Sequence, residues 1–296
     1  MKKSVGIATD SYSGISSREA ERLGIKVLAM PFYVNGECFY ENQSLSRDEF
    51  FQRLQEGADV KTSQPSPAAV IELWDEMLEE YEELVYIPMS SGLSGSCMTA
   101  QGLAGEEAYE GRVFVADVGR VATPMHRSVL DALELAAEGF SAEEIRDALE
   151  ESRDRMVIYV GLQTLEHLKR GGRISASAQV IGTILNIKPV MKFDVGTLDV
   201  YKKCRGFSRA REAMIEAMRQ ELAGRFKEEQ AAGEVFLMAA SSASEEETKR
   251  WVQEIEAAFP GMNVACDPLT LGLCCHIGQG GLGIGCSCRV KRPLRK

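Results

Sequence analysis

In the first half of the chain, short β-branched apolar runs alternate with amphipathic stretches: 5–8 then 16–23, 84–87 then 94–104, and 113–116 then 123–137. This alternation predicts an α/β layer with a mainly parallel sheet, because parallel neighbours need a crossover long enough to hold a helix. Helix starts are marked by Ser16-Ser17-Arg18-Glu19, Ser46-Arg47-Asp48-Glu49 and Ser141-Ala142-Glu143-Glu144. Each fits the capping box, in which a serine hydroxyl and a glutamate three residues on satisfy the first free N–H groups of a helix. The apolar run 27–34, the pair Asn35-Gly36 and the run 37–40 read as a hairpin, since Asn-Gly accepts the positive φ angles of a type I′ turn. A small β-hairpin insertion over about 26–60 follows from this.

Beyond residue 152 the pattern changes to a strand at 156–160, helices around 163–169 and 176–185, and a strand pair turning near Val195-Gly196. A long helix from 208 to about 229 follows, then a strand at 235–239, a helix from 244, and strand-like runs at 263–266 and 273–276. The expectation is two α/β domains, an N-terminal one over 1–152 that includes the insertion and a C-terminal one over 153–296. The glycine-dense run 278–285 allows close approach of the backbone to a ligand or another chain.

Composition narrows the partners. The chain of 296 residues is 45% hydrophobic and 26% charged, the profile of a globular protein. A net charge of −10 argues against nucleic acid as a partner, because binding by counterion release needs clustered Lys and Arg. The N-terminal apolar run is short and ends at Asp10, unlike a signal peptide, and no uncharged stretch is long enough to span a bilayer. Eight cysteines without a secretion signal read as reduced thiols, so a cytoplasmic location is expected.

Two hydroxyl-rich segments are the leading candidates for chemistry. Ser90-Ser91-Gly92-Leu93-Ser94-Gly95-Ser96 follows an apolar strand and precedes a helix. Its N–H groups should therefore face the crevice at the strand's carboxyl end, where open α/β sheets bind anions. As a local feature it is a helix cap supplied by Ser94. It misses the Gly-x-Ser-x-Gly elbow of hydrolases by one residue, since Ser96 stands where the last glycine belongs. A stand-alone hydrolase or phosphotransferase at this loop is the alternative; it would need one of His126, His167 or His276, and no Walker lysine pattern accompanies it. Thr62-Ser63-Gln64-Pro65-Ser66-Pro67 is the second segment, otherwise a stiff loop with Pro67 early in a helix. Two such loops can clamp the two oxygens of one anionic head.

Lys169-Arg170-Gly171-Gly172-Arg173 places three cations around two glycines, a C-cap with charges suited to the helix dipole or a basic patch that docks a partner. Arg205 could pair with an anionic ligand. Cys274-Cys275-His276 with Cys286 and Cys288 lacks zinc-site spacing. If Cys274 and Cys275 lie on a strand they face opposite ways, so buried thiols acting as small hydrophobes are expected and no metal is.

Taken in order, these motifs resemble the DegV family of bacterial fatty-acid-binding proteins along nearly the whole chain. The landmarks are Thr9-Asp10-Ser11, Thr62-Ser63-Gln64-Pro65-Ser66, Ser91-Gly92-Leu93-Ser94-Gly95, the stretch 165–175, Leu185-Asn186-Ile187-Lys188-Pro189, and His276-Ile277-Gly278. The resemblance implies a long-chain fatty acid such as palmitate or oleate held between two α/β domains, with Thr62 and Ser94 as main carboxylate ligands and Ser63, Ser91, Arg205 and His276 nearby. It also implies a carrier with no catalytic residues and no cofactor beyond the bound lipid, which presents the acid to a separate fatty acid kinase. Gly14, Ile15 and Gln279 depart from the family pattern. Burying about fourteen methylenes would contribute on the order of 11 kcal/mol before ordering costs, so the tail supplies affinity and the head fixes orientation.

Overall fold

The computed structural model describes residues 2–41, 43–173 and 187–294. The helix expected at 176–185, with Ser175, Leu185 and Asn186 of the family landmarks, lies outside the described residues. Contacts divide the chain into two compact units, one made of 1–31, 63–154 and 290–296 and the other of 32–62 and 155–289. The expected division at residue 152 is a single cut, whereas the backbone crosses between units at 31/32, 62/63, 154/155 and 289/290.

The first unit is built on a four-stranded sheet of order β2-β1-β6-β7, with β1 at Lys3–Asp10, β2 at Lys26–Leu28, β6 at Tyr81–Ile87 and β7 at Val113–Val115. Every pairing is parallel, as the βα alternation requires. Both faces are buried, and the period-two pattern of the strands sorts their side chains. Ile7, Val85 and Ile87 pack with Val129, Leu135 and Ile145 from helices Thr123–Ala137 and Ala142–Glu151. Ala8, Leu84 and Tyr86 pack on the opposite face with Trp74 and Met77 of helix Pro67–Glu80 and Ala100 of helix Ser96–Ala104. Helix Ser17–Leu23 is capped by Ser16 and helix Arg47–Gln55 by Ser46, each accepting the N–H of the glutamate three residues on. The full reciprocal box forms at Ser141, where Glu144 reaches back to the cap; Glu19 and Glu49 instead pair with Arg22 and Arg53.

The second unit holds two sheets. Strands β3 (Pro31–Val34), β4 (Glu37–Tyr40) and β5 (Val60–Thr62) form a small sheet of order β4-β3-β5. Asn35 and Gly36 turn the hairpin with φ of 53° and 85°, as a type I′ turn demands. Helix Arg47–Gln55 closes this sheet with an aromatic cluster in which Phe32 lies 5.9 Å from both Phe39 and Phe50. The larger sheet has the order β10-β9-β8-β13-β11-β12. Its strands are β8 at Met156–Gly161, β9 at Ile187–Asp194, β10 at Thr197–Arg205, β11 at Val235–Ser241, β12 at Val264–Pro268 and β13 at Leu282–Cys288. Only β11 and β12 pair in parallel. Val157, Tyr159, Ile284 and Cys286 face Met214, Met218 and Trp251 of helices Phe207–Ala223 and Glu245–Ala258. Val160 and Met191 face the other way, with Leu162, Leu165 and Leu168 around helix Glu166–Gly171.

Two expectations are corrected. Residues 273–276 are part of helix Leu271–Ile277, not a strand, because Leu271, Cys274 and Cys275 bury at helical spacing between an extended Thr270 and Gly278. The long helix ends at Ala223, where Gly224 leaves the helical region (φ −110°, ψ −92°), and a short helix Lys227–Ala231 follows. Residues 282–285 of the glycine-dense run open the central strand β13, where a Cβ on Gly285 would sit 3.0 Å from the Val157 carbonyl. Gly283 leaves its carbonyl open to the buried Trp251 indole N–H at 2.8 Å. Among the described residues no helix is long and apolar enough to cross a membrane. The crowding at β13 gives a direct expectation. Gly285→Ala should lower unfolding free energy by about 1–3 kcal/mol through overpacking, measured as a shift in denaturant midpoint at unchanged slope.

Candidate functional site

Thr62 ends β5, and His276 lies in the last turn of helix Leu271–Ile277. Though 214 residues apart in sequence, Thr62 Oγ1 and His276 Nε2 meet at 2.9 Å. His276 Nδ1 is buried and has no hydrogen-bond partner among the described residues. Burial, then the charge of Arg173 and the neighbouring His167, push His276 down to about 4, so its ring is neutral at pH 7. A buried N–H without an acceptor is costlier than a buried lone pair without a donor. The proton therefore belongs on Nε2, which donates to Thr62 Oγ1. The Thr62 hydroxyl proton is left to point at another acceptor.

Room for the imidazole comes from a glycine. A Cβ on Gly171 would fall 2.1 Å from His276 Nδ1, inside the ring's own volume. In the pair read as a C-cap, Gly172 takes the left-handed cap position with φ 67°, while Gly171 serves His276. A Cβ on Gly278 would likewise strike His167 at 2.5 Å. Gly171 is a candidate that sequence reading missed; the doubled glycine was the available signal, since a cap needs only one. Lys169 and Arg170 occupy the last turn of helix Glu166–Gly171, and Arg173 donates back to the Gly171 carbonyl at 2.5 Å.

The 90–96 loop lies at the carboxyl end of β6 and is braced from within the first unit. Asp117, just after β7, accepts the Ser91 hydroxyl at 2.5 Å, the Ser91 N–H at 3.4 Å and the Gly119 N–H at 3.2 Å, and pairs with Arg153 at 3.1 Å. The Ser91 proton is thereby committed to Asp117. Ser94 Oγ accepts the Ser96 N–H at 3.2 Å, which leaves its own proton to donate outward. The helix begins at Ser96 and not next to Ser94, with Gly95 at the cap position and no side-chain cap there. Asp10, at the end of β1, is fully buried and accepts the N–H groups of Tyr12 at 2.9 Å and Met89 at 2.8 Å. Burial pushes its carboxyl up to about 7 against those two hydrogen bonds.

The expected site residues thus fall in both units. Thr62, Arg205 and His276 belong to one, and Ser63, Ser91 and Ser94 to the other. Thr62 and His276 are in contact; Arg205 is exposed at the end of β10; Ser63 donates its N–H to the Pro31 carbonyl at 3.4 Å. Cys274, Cys275, Cys286 and Cys288 are all buried, and burial raises the thiol pKa of the first three. On a helix Cys274 and Cys275 no longer face opposite ways as on a strand. Even so, among the described residues no group of three or more His, Cys, Asp or Glu side chains is placed to hold a metal ion.

The first unit is a parallel α/β layer with a hydroxyl loop at its strand ends, and the second is a mixed-sheet unit with a neutral histidine hydrogen-bonded to a threonine. The family model described as "Uncharacterised protein, DegV family" matches residues 4–288, and the chain belongs to the DegV family. It is 30% identical over 215 residues to a DegV domain-containing protein of Caldanaerobacter subterraneus, covering 73% of this chain and 76% of that one. A DegV domain-containing protein of Streptococcus pneumoniae is 27% identical over 285 residues, 95% of this chain and 98% of the other. Among solved structures, a DegV family protein from Thermus thermophilus, described for its fatty acid binding, is similar with a TM-score of 0.86 and 30% identity over 96% of this chain and 99% of its own.

Two measurements follow. An unfolded histidine takes its proton near 6.5 and folded His276 only near 4. Between those values the unfolded state holds more protons, so stability falls as pH drops through the window, and His276→Gln should remove that loss. Asp10 works oppositely: folded Asp10 binds its proton near 7 and an unfolded aspartate near 3.8, so this contribution is full below the lower value and fades as pH rises to the upper one. Urea melts of wild type and His276→Gln from pH 4 to 7 separate the two. Gly171→Ala should cost about 1–3 kcal/mol by the same melts and displace the His276 ring signals in NMR spectra.

Proposed function

We propose that this protein binds a long-chain fatty acid such as palmitate or oleate and presents its carboxylate to a partner, without turning the acid over itself. The observation that carries the reading is the Thr62–His276 contact at 2.9 Å, in which a neutral imidazole fixes the threonine hydroxyl with its proton free to donate. A neutral donor suits a carboxylate that must be both held and released, because it adds no buried counter-charge and leaves carboxylate lone pairs open. Support comes from the Thermus thermophilus relative described for its fatty acid binding.

Candidates for contact with the head group are Thr62, His276 and Arg205 in one unit and Ser63, Ser91 and Ser94 in the other, each put forward singly. Thr62 and Ser94 rank first, since their hydroxyl protons are uncommitted; Ser91, whose proton goes to Asp117, would act as an acceptor or through its loop. The proposed partner is a fatty acid kinase that phosphorylates the carboxylate, docking on Lys169, Arg170 and Arg173 for lipid transport or phospholipid metabolism in the cytoplasm.

Native mass spectrometry of the purified protein should show one co-purified fatty acid per chain. Protein that arrives empty and also rejects added palmitate and oleate would rule the reading out. Thr62→Ala and Ser94→Ala should each weaken palmitate binding by roughly ten- to hundredfold, the loss of one hydrogen bond to a charged group. Replacing Lys169, Arg170 and Arg173 together by alanine should leave that affinity unchanged and weaken capture of the kinase.

A further inference from the structure

Helix Leu271–Ile277 has no cap of its own. Thr270 is extended at the cap position (φ −62°, ψ 156°) but makes no capping hydrogen bond, and its buried Oγ1 has no partner among the described residues. The first N–H groups of the helix are satisfied from far away in sequence. Glu41, just past β4, accepts the Leu271 N–H at 2.8 Å and is also hydrogen-bonded to the Gly272 N–H.

Arg47, the first residue of helix Arg47–Gln55, completes the joint. Its guanidinium donates to the Leu269 carbonyl at 2.6 Å and to the Ser241 carbonyl at 3.1 Å, and its plane lies 5.1 Å from the Phe51 ring. Burial raises the Glu41 carboxyl, while the two N–H groups and the Arg47 charge lower it. Further along, Gln55 donates to the Gln279 side chain at 2.6 Å. The inserted segment 32–62 is therefore tied to 269–279 at Glu41, Arg47, Gln55 and Thr62, and Thr62–His276 is the last of these ties. A seven-residue helix is too short to hold its own position by internal hydrogen bonds. Whatever fixes its first turn fixes His276 in its last.

We propose that Glu41 and Arg47 are positioning residues for the Thr62–His276 pair, clamping the helix that carries the histidine onto the insertion that carries the threonine. Neither need touch a ligand. The consequence for fatty acid affinity rests on the function proposed above; the clamp itself does not.

The test uses full-length protein with ¹⁵N-labelled histidine rings, His276 being assigned among the three histidines by His276→Gln. In Glu41→Ala and Arg47→Ala the His276 Nε2–H signal should leave its hydrogen-bonded position and exchange faster with water, and its titration midpoint should rise toward 6.5. The His126 signal and the cooperative melt should persist. Palmitate binding should weaken about tenfold in each variant, and Glu41→Ala combined with His276→Gln should be no weaker than His276→Gln alone. A cooperative melt with an unmoved His276 signal would overturn the clamp, as would full additivity in the double variant. Where an alanine variant does not melt cooperatively, the same results are read on Glu41→Gln and Arg47→Lys, which keep the volume and weaken the contacts. Wild-type protein that rejects palmitate would defeat the fatty-acid reading while the ring signals still decide the clamp.

Discussion

The Thr62–His276 hydrogen bond depends on a shortage of space. The imidazole lies so close to the Gly171 backbone that any side chain there would occupy the ring's volume, and this crowding strips Nδ1 of partners among the described residues. A buried ring with one hydrogen-bond partner among the described residues keeps one proton, which costs less on the nitrogen that has a partner than on the one that has none. Neutrality, tautomer and the free hydroxyl proton of Thr62 all follow from that single packing constraint. The doubled glycine at 171 and 172 is then two separate solutions: one residue turns the chain out of a helix, and the other makes room for a histidine more than a hundred residues later in sequence.

The two hydroxyl segments look alike in sequence and differ in chemistry. At 90–96 the loop is held by a carboxylate, since Asp117 takes both the hydroxyl and the N–H of Ser91 and is itself paired with Arg153. Rigidity there comes from charge-assisted hydrogen bonds within one parallel layer. At Thr62 the support is a neutral ring carried by a short helix that borrows its cap from the insertion. One loop is preorganised by ionic bracing, the other by packing.

The two units differ in how their sheets are built. The first is an all-parallel layer. The mixed sheet of the other is not, since its central strand is glycine-dense with antiparallel neighbours on both sides. Its glycines serve sheet closure: Gly285 crowds the Val157 carbonyl, and Gly283 offers its own carbonyl to the Trp251 indole.

Periodicity and local chemistry fixed the parts of the molecule that are decided within about twenty residues. The parallel βα units, the serine caps at Ser16, Ser46 and Ser141, the Asn35-Gly36 turn and the two hydroxyl loops were all legible, because each depends on side chains close in sequence. The run 273–276 reads as a strand because so short an uncharged stretch carries no period strong enough to separate strand from helix, and the cap of the helix that contains it, Glu41, comes from 230 residues away. The strand through 282–288 was hidden because glycine has low β-propensity and is chosen there for what its neighbours need. Which hydroxyl keeps its proton free, that His276 is neutral, and that Gly171 must have no side chain were decided only by tertiary structure. Burial and long-range contact set protonation, and neither can be counted along a chain.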